Sequence, residues 1–105
     1  RVARRNIDSL RPDELAQLQN GYARMQAISD SRGFNAIAGL HGTPGNFCRH
    51  GERTFLPWHR AYLYEFEQYL KDHGPTLAIP WWDWSRTAGV PRAFSTPTTA
   101  AGTPN

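Results

Sequence analysis

The chain has 105 residues, which is enough for one domain with a modest core, since chains below roughly 40 residues usually need disulfides, metals or partners to fold. Its net charge is +3, but the sequence has no stripe in which basic residues alternate with aromatic ones, and this excludes a nucleic-acid-binding surface. The single cysteine, Cys48, excludes a disulfide within the chain. Hydrophobic residues make up only 39%, yet 12% of the residues are aromatic, including four tryptophans.

The sequence contains no membrane-spanning pattern and no signal peptide. A span needs 18 or so consecutive apolar residues, and the arginine-rich start is not followed by the apolar stretch of a signal peptide. We therefore expect a soluble protein without a membrane partner. The compartment stays open, because an export signal removed earlier leaves no trace.

Two helices and a long loop are predicted in the first three quarters of the chain. Apolar residues at spacings of three and four predict an amphipathic helix over residues 12–30, behind Pro12. Residues 31–56 contain five glycines and one proline, which predicts a long shaped loop. A second helix is predicted from Pro57, where a 3.6-residue period of aromatic side chains begins, up to Gly74.

The remaining sequence lacks a helical period. Residues 77–84 are apolar and aromatic but interrupted by Pro80, and we predict an extended, buried segment there. About residues 86–105 are rich in Thr, Pro, Ala and Gly and are predicted to form an irregular tail or a junction. Two helices, a loop and an aromatic segment do not close a bundle, so another chain, a second copy or the rest of a longer protein is expected to complete it.

Three of the four histidines, His41, His50 and His59, lie within nineteen residues. Three neutral imidazoles with an open position suit copper, zinc, iron or nickel, and spacing alone does not choose between these metals. Each histidine taken alone is more readily explained as an ordinary polar side chain, whereas for the three together a metal site and this alternative are equally open. The fourth, His73, precedes Gly74 at the end of the second helix, where a cation is favoured by the helix dipole.

The motifs around these histidines resemble the copper-A half of the tyrosinase, catechol oxidase and molluscan hemocyanin family of type-3 copper proteins. The resemblance spans roughly residues 5–86. Four stretches carry it: Gly39-Leu-His-Gly-Thr-Pro-Gly45, Cys48-Arg-His-Gly51, Thr54-Phe-Leu-Pro-Trp-His-Arg-Ala-Tyr-Leu-Tyr-Glu-Phe-Glu67 and Ile79-Pro-Trp-Trp-Asp-Trp84.

The resemblance implies a mainly α fold, part of a helical bundle of the type-3 copper kind, with a long Gly-rich loop. It also implies that His41, His50 and His59 bind one of two copper ions. Phe66 corresponds to the family's aromatic gate beside this copper. Cys48 either forms a thioether to His50, as in one subgroup, or is a buried free thiol.

Further roles follow from the same resemblance. Asp83 is expected to pair with Arg60 or to accept from a ligand N–H group. Glu67 is either an acceptor behind the ligands or a solvated helix residue. The tryptophans of residues 81–84 are expected to pack the helices around the metal.

The sequence departs from the family in one important respect, because it contains no histidine after His73 and so lacks a copper-B half. The span from His41 to His50 is also shorter than in many relatives. We therefore expect residues 1–105 to be a single copper-A-bearing half-domain of a tyrosinase-like polyphenol oxidase. Combined with a copper-B-bearing chain or fragment, it is expected to oxidise catechols to o-quinones with dioxygen, and the hydroxylation of monophenols stays open.

No acid–base catalytic residue is evident in the sequence. The alternatives are a hemocyanin-like oxygen-binding protein and a mononuclear copper domain without oxidase activity.

Overall fold

The computed structural model describes residues 3–42, 47–99, 101–102 and 104. A 3-10 turn at Ile7–Ser9 precedes four helices, α1 (Pro12–Gln26), α2 (Phe34–His41), α3 (Phe55–Lys71) and the single turn α4 (Arg92–Ser95). The described residues contain two isolated β-bridges and no strand. The prediction of a mainly α fold is therefore confirmed.

Helix α1 begins as the sequence predicts but ends four residues earlier. Pro12 occupies the first turn, and the Glu14 carboxylate accepts the backbone N–H of Arg11 at 2.9 Å, which satisfies an otherwise free amide. At the other end, the Asp30 carboxylate accepts the N–H of Arg32 at 2.8 Å and its carbonyl accepts the N–H of Gly33 at 3.1 Å. This turn competes with the helix for the backbone, which shortens the predicted 12–30 helix.

Helix α2 lies inside the segment that the sequence predicted to be a loop. Gly33 precedes it, and a Cβ atom at this position would lie 2.1 Å from the carbonyl oxygen of Ile28, so only glycine permits this close approach of the two backbone segments. Ile37 on α2 is almost fully buried. The glycines of residues 31–56 therefore mark the approach to a short helix as well as a loop, and the prediction of continuous loop is wrong for Phe34–His41.

Helix α3 forms where the aromatic period predicted it, starting two residues before Pro57. The proline lies in the first helical turn, where its missing N–H costs nothing, and the Trp58 N–H reaches the carbonyl of Thr54 at 2.9 Å. The core lies between α1, α2 and α3 and contains Leu18, Met25, Ile37, Phe66, Leu70 and Ile79.

An extended segment joins α3 to the N-terminal residues. The N–H of Ile7 donates to the carbonyl of Trp81 and the N–H of Trp81 donates to the carbonyl of Arg5, both at 2.9 Å. Ala78 and Ile79 are buried, as predicted. The tryptophans are not: Trp81, Trp82 and Trp84 are 47%, 42% and 76% exposed, so the expectation that they pack the helices around a metal is wrong within this chain.

Residues 82–87, which include Trp82 and Trp84, fold on themselves. The indole N–H of Trp82 donates to the carbonyl of Thr87 at 3.2 Å, and the amides of Arg86 and Thr87 both donate to the carbonyl of Asp83. Trp82 and Trp84 therefore belong to a local turn and not to the core.

One turn of helix interrupts the predicted irregular tail. The carbonyl of Ala93 in α4 accepts from Nε2 of Gln19 at 2.6 Å, and the ring of Phe94 meets Tyr22 edge-on with centroids 6.0 Å apart. Segment 91–96 is thereby held against α1. Among the described residues, no helix is both long and apolar enough to cross a membrane.

Candidate metal centre

The three histidines predicted as ligands meet at one point. The Nε2 atom of His59 lies 3.2 Å from Nε2 of His41 and 3.2 Å from Nε2 of His50. His41 is the last residue of α2, His50 belongs to the connection between helices, and His59 lies in the second turn of α3. The structure therefore brings together residues from three different parts of the chain.

His59 is fixed by the helix from which it projects. Its Nδ1 atom lies 2.8 Å from the carbonyl oxygen of Phe55, four residues earlier. A carbonyl can only accept, so Nδ1 carries the proton and Nε2 presents its lone pair to the other two histidines. Metal-bound histidines are commonly oriented in this way, with the second ring nitrogen donating to a carbonyl.

Aromatic rings frame the imidazoles on both sides. Phe55 lies against His59 and His50, with ring centroids 4.2 and 5.5 Å away. On the other side, Tyr62 lies 5.6 Å from His41 and stacks on Trp58 at 5.4 Å. These rings limit the rotation of the histidines and so help to hold the arrangement.

The sequence did not single out Phe55 or Tyr62 as part of the site. The signal that could have found them is helical spacing, because Phe55 and His59, like Trp58 and Tyr62, are four residues apart on one helix face.

Cys48 lies at the edge of the cluster formed by His41, His50 and His59, which we call the histidine cluster. One nitrogen of His41, one nitrogen of His50 and the sulfur of Cys48 all lie within 4.8 Å of one another. The thiol is free and half-buried, whereas His41 and His50 are exposed.

The chemistry of this donor set suits copper. Among the residues that the structure describes, His41, Cys48 and His50 form a group whose donor atoms are close enough to share an ion, Nε2 of His59 lies 3.2 Å from Nε2 of both histidines, and none of these four residues is a carboxylate. Nitrogen and sulfur donors favour copper or zinc over magnesium or calcium. The single lone pair on Nε2 of His59 cannot satisfy two imidazole N–H groups at once, whereas one cation can accept a lone pair from each ring. The residues therefore fit the copper that the sequence implies.

Phe66, Asp83 and Arg60 are three other residues predicted for the site, and the first two contact residues outside the histidine cluster. Phe66 lies in the core, 8% exposed, with ring centroids 5.8 Å from Tyr22 and 6.2 Å from Phe34. The Asp83 carboxylate accepts from the Ser85 hydroxyl at 2.5 Å, and in the described part of the chain Arg60 forms no ion pair.

Glu67 and His73 serve the fold. Glu67 is buried and accepts from Nε of Arg4 at 2.7 Å and from the Ile79 amide at 3.2 Å, so it is neither solvated nor turned to the ligands. His73 follows the end of α3, and its carbonyl accepts from Arg24 at 3.4 Å. The buried Nε2 atom of His73 has no hydrogen-bond partner among the described residues.

A helical scaffold that gathers three imidazoles around one point defines the class of histidine-ligated metal proteins. Within that class, residues 31–105 match the family model described as the common central domain of tyrosinase. The chain belongs to this family of type-3 copper proteins, for which copper is the implied metal.

Relatives of known sequence include two hemocyanins. The chain is 38% identical to Hemocyanin A-type, units Ode to Odg, of Enteroctopus dofleini over 96 residues, 81% of this chain and 8% of the relative. It is 34% identical to Hemocyanin 1 of Megathura crenulata over 103 residues, 88% of this chain and 3% of the relative.

Solved structures give the same result. The deoxygenated hemocyanin of Rapana thomasiana superposes with a TM-score of 0.83 at 30% identity, covering 91% of this chain and 26% of that chain. The tyrosinase of Burkholderia thailandensis at low pH superposes with a TM-score of 0.72 at 28% identity, covering 80% and 21%. The chain therefore spans about a quarter of the solved structures and a few per cent of the long hemocyanins that it matches.

Proposed function

We propose that this chain is the copper-A-bearing part of a tyrosinase-like polyphenol oxidase, with residues 1–105 forming one half-domain. The observation that carries the proposal is the position of Nε2 of His59, 3.2 Å from Nε2 of both His41 and His50. In this proposal the three imidazoles hold one copper ion. A second copper, bound by a copper-B-bearing partner chain or fragment, would complete the pair that supplies dioxygen binding and electron transfer for oxidising catechols to o-quinones.

The chain's own residues would orient the copper and hold it in place. The Phe55 carbonyl keeps the proton of His59 on Nδ1, so that Nε2 stays available as a ligand. A thioether between Cys48 and His50 would add a covalent restraint to an exposed imidazole, and the proximity of the two residues supports this proposal.

An uncovered apolar face supports the need for a partner. An open groove of about 230 Å³ lies between α2 and α3. It is lined by Ile37, Leu40, Ala61, Tyr62 and Tyr69, with Trp58 and Glu65. The groove continues into the histidine cluster, because Tyr62 and Trp58 both contact His41. A helix packed in this groove would end beside the imidazoles, which is where a second metal-binding half must lie.

The hemocyanin relatives favour a second candidate, an oxygen carrier with the same ligands. The remaining alternative is a mononuclear copper domain, in which a single chain binds one copper ion and has no oxidase activity. Carrier and oxidase would differ in whether a phenol can reach the copper.

Copper stoichiometry and intact mass of the purified material test the proposal. We expect one copper per chain, a copurifying second polypeptide with its own copper, and catechol turnover by the assembly. Reversible oxygenation without turnover would identify the carrier, and one copper on an isolated, inactive chain would identify the mononuclear form. His59→Ala should abolish copper binding, whereas His73→Gln, outside the cluster, should retain it. Equal copper in both variants would contradict the proposed ligands.

A further inference from the structure

The aromatic rings on the two sides of the histidine cluster differ in how readily they lose an electron. Phe55, which contacts His50 and His59, has a hydrocarbon ring that resists one-electron oxidation. On the other side, the ring centroid of Trp58 lies 4.8 Å from that of His59 and 6.2 Å from that of His41. Indole and phenol are the most easily oxidised rings among the aromatic side chains. The electron-rich side of the cluster is therefore the side of Trp58.

Trp58 and Tyr62 form a stacked pair that leads away from the ligands. Their ring planes are 11° apart and their centroids 5.4 Å apart, and Tyr62 also lies 5.6 Å from His41. The two residues are four positions apart on α3, so the helix itself fixes the stacking. Both line the open groove between α2 and α3, and in the chain by itself the pair extends from the ligands to solvent. Electron transfer between rings in such contact is fast, because its rate falls steeply with distance.

The candidate ligands need protection from oxidation. His41 and His50 are exposed, so hydrogen peroxide can reach a copper ion that they hold. A cuprous ion and hydrogen peroxide form a hydroxyl radical, which adds oxygen to the nearest imidazoles. Because these imidazoles are the ligands, such a reaction destroys the site. An electron donor in contact with the ligands removes the radical before it attacks them.

We infer that Trp58 and Tyr62 form an electron relay that protects the three histidines from oxidation by hydrogen peroxide at the copper. The inference rests on the proposed function, because it requires copper at these imidazoles. It gives the stacked pair a role beyond framing the cluster.

The reaction consumes one phenolic hydrogen for each peroxide. The cuprous ion gives one electron to hydrogen peroxide, which breaks the O–O bond and leaves a cupric ion, a hydroxide ion and a hydroxyl radical. Tyr62 then loses one electron, which passes through Trp58, and its phenolic proton, which leaves to solvent in the groove. The hydroxyl radical takes up this electron and a proton and becomes water. A tyrosyl radical remains at Tyr62, because the deprotonated phenoxyl radical is more stable than the oxidised indole.

Electron paramagnetic resonance and peptide mass spectrometry of the copper-loaded full chain test the inference. The chain is loaded with copper, reduced with ascorbate, desalted under argon, mixed with equimolar hydrogen peroxide and frozen rapidly. We expect a tyrosyl radical signal in the unsubstituted chain and loss of this signal in Tyr62→Phe, which keeps the stacked ring but removes the phenol. Oxygen added to Trp58 and the three histidines, taken together, should rise several-fold in this variant.

A matched variant and the copper content separate the relay from the proposed function. Tyr64→Phe removes a phenol from an exposed position of α3 outside the groove lining and should keep both the radical signal and the low oxidation of the ligands. All three proteins should bind the same amount of copper before peroxide is added. If copper binds but Tyr62→Phe shows the same radical signal and the same ligand oxidation as the unsubstituted chain, the relay is excluded and the three-histidine site stands. If the unsubstituted chain binds no copper, both the inference and the proposed function fail.

Discussion

The carboxylate of Glu67 on α3 accepts a hydrogen bond from Nε of Arg4, 63 positions earlier in the chain, at 2.7 Å. The same oxygen accepts the amide of Ile79 at 3.2 Å. One buried side chain thus joins the N-terminal segment, α3 and the extended segment that follows it.

Glu67→Gln should lower the free energy of unfolding by about 1–2 kcal/mol, because the charge-assisted bond to a partly exposed arginine is weakened. Urea denaturation measures this change. Glu65→Gln, an exposed change on the same helix, should stay within about 0.5 kcal/mol of the unsubstituted chain. Equal losses for the two variants would show that the buried contact contributes nothing specific.

The raised pKa of Tyr22 predicts that the folded chain loses stability at alkaline pH. Burial, with a smaller contribution from the negative charge of Glu67, raises the pKa of Tyr22 from 10.0 to about 12. The neutral phenol therefore stabilises the fold fully below pH 10, and this contribution is lost as pH rises from about 10 to about 12. Two pKa units correspond to at most about 2–3 kcal/mol.

Unfolding of Tyr22→Phe at pH 9 and pH 11.5 tests this expectation, because the variant should lose less stability between the two values than the unsubstituted chain. Tyr64→Phe, on the exposed side of α3, controls for removal of a hydroxyl group. A Tyr22→Phe protein with an unchanged alkaline slope would contradict the prediction.

Substitution by alanine should change the stability of the chain in opposite directions at two helical glycines. A Cβ at Gly21 in α1 would lie 2.4 Å from Cγ of Pro75, whereas a Cβ at Gly39 in α2 has no neighbour within 4 Å. Gly21→Ala should destabilise the chain by about 1–3 kcal/mol, because the proline ring cannot move aside. Gly39→Ala should stabilise it by about 0.5–1 kcal/mol through helix propensity alone. Thermal unfolding distinguishes the signs, and stabilisation by both changes would show that α1 and Pro75 are not in close contact.

The groove between α2 and α3 should bind the copper-B-bearing partner. Ala61→Lys places a charge on the groove lining and keeps a good helix former, so we expect coexpression with such a partner to give at least tenfold weaker association, about 1.4 kcal/mol or more. Tyr64→Lys adds the same charge to an exposed position of α3 outside the groove lining. Copurification and copper per complex report the result. Association lost equally in both variants would place the interface elsewhere.

Periodic patterns in the sequence predicted the long helices well and the short one badly. Helix α3 has seventeen residues, enough turns for its aromatic period to stand out. Helix α2 has eight, and the glycines at 33, 39 and 42 gave its sequence the composition of a loop. The reason for Gly33 is the close approach of the Ile28 carbonyl, a contact between backbone segments that no periodicity expresses.

The candidate site was predicted in its residues but not in its surroundings. Imidazole spacing only suggested a metal site, and the family resemblance assigned His41, His50 and His59 as its ligands, whereas their convergence depends on where α2 ends relative to α3. The resemblance implied that the tryptophans of residues 81–84 pack the helices around the metal. All three are exposed, and Trp82 and Trp84 belong to the local turn of residues 82–87.

The hydrogen bond from the Ile7 amide to the Trp81 carbonyl makes a closed loop of the chain between them. The three candidate histidine ligands and Cys48 lie inside this loop. Loop closure grows only logarithmically in cost with length, so tying the ends of such a long segment costs little more than tying a short one. The candidate ligands thus belong to a segment whose ends are held together by hydrogen bonds as well as by the covalent chain.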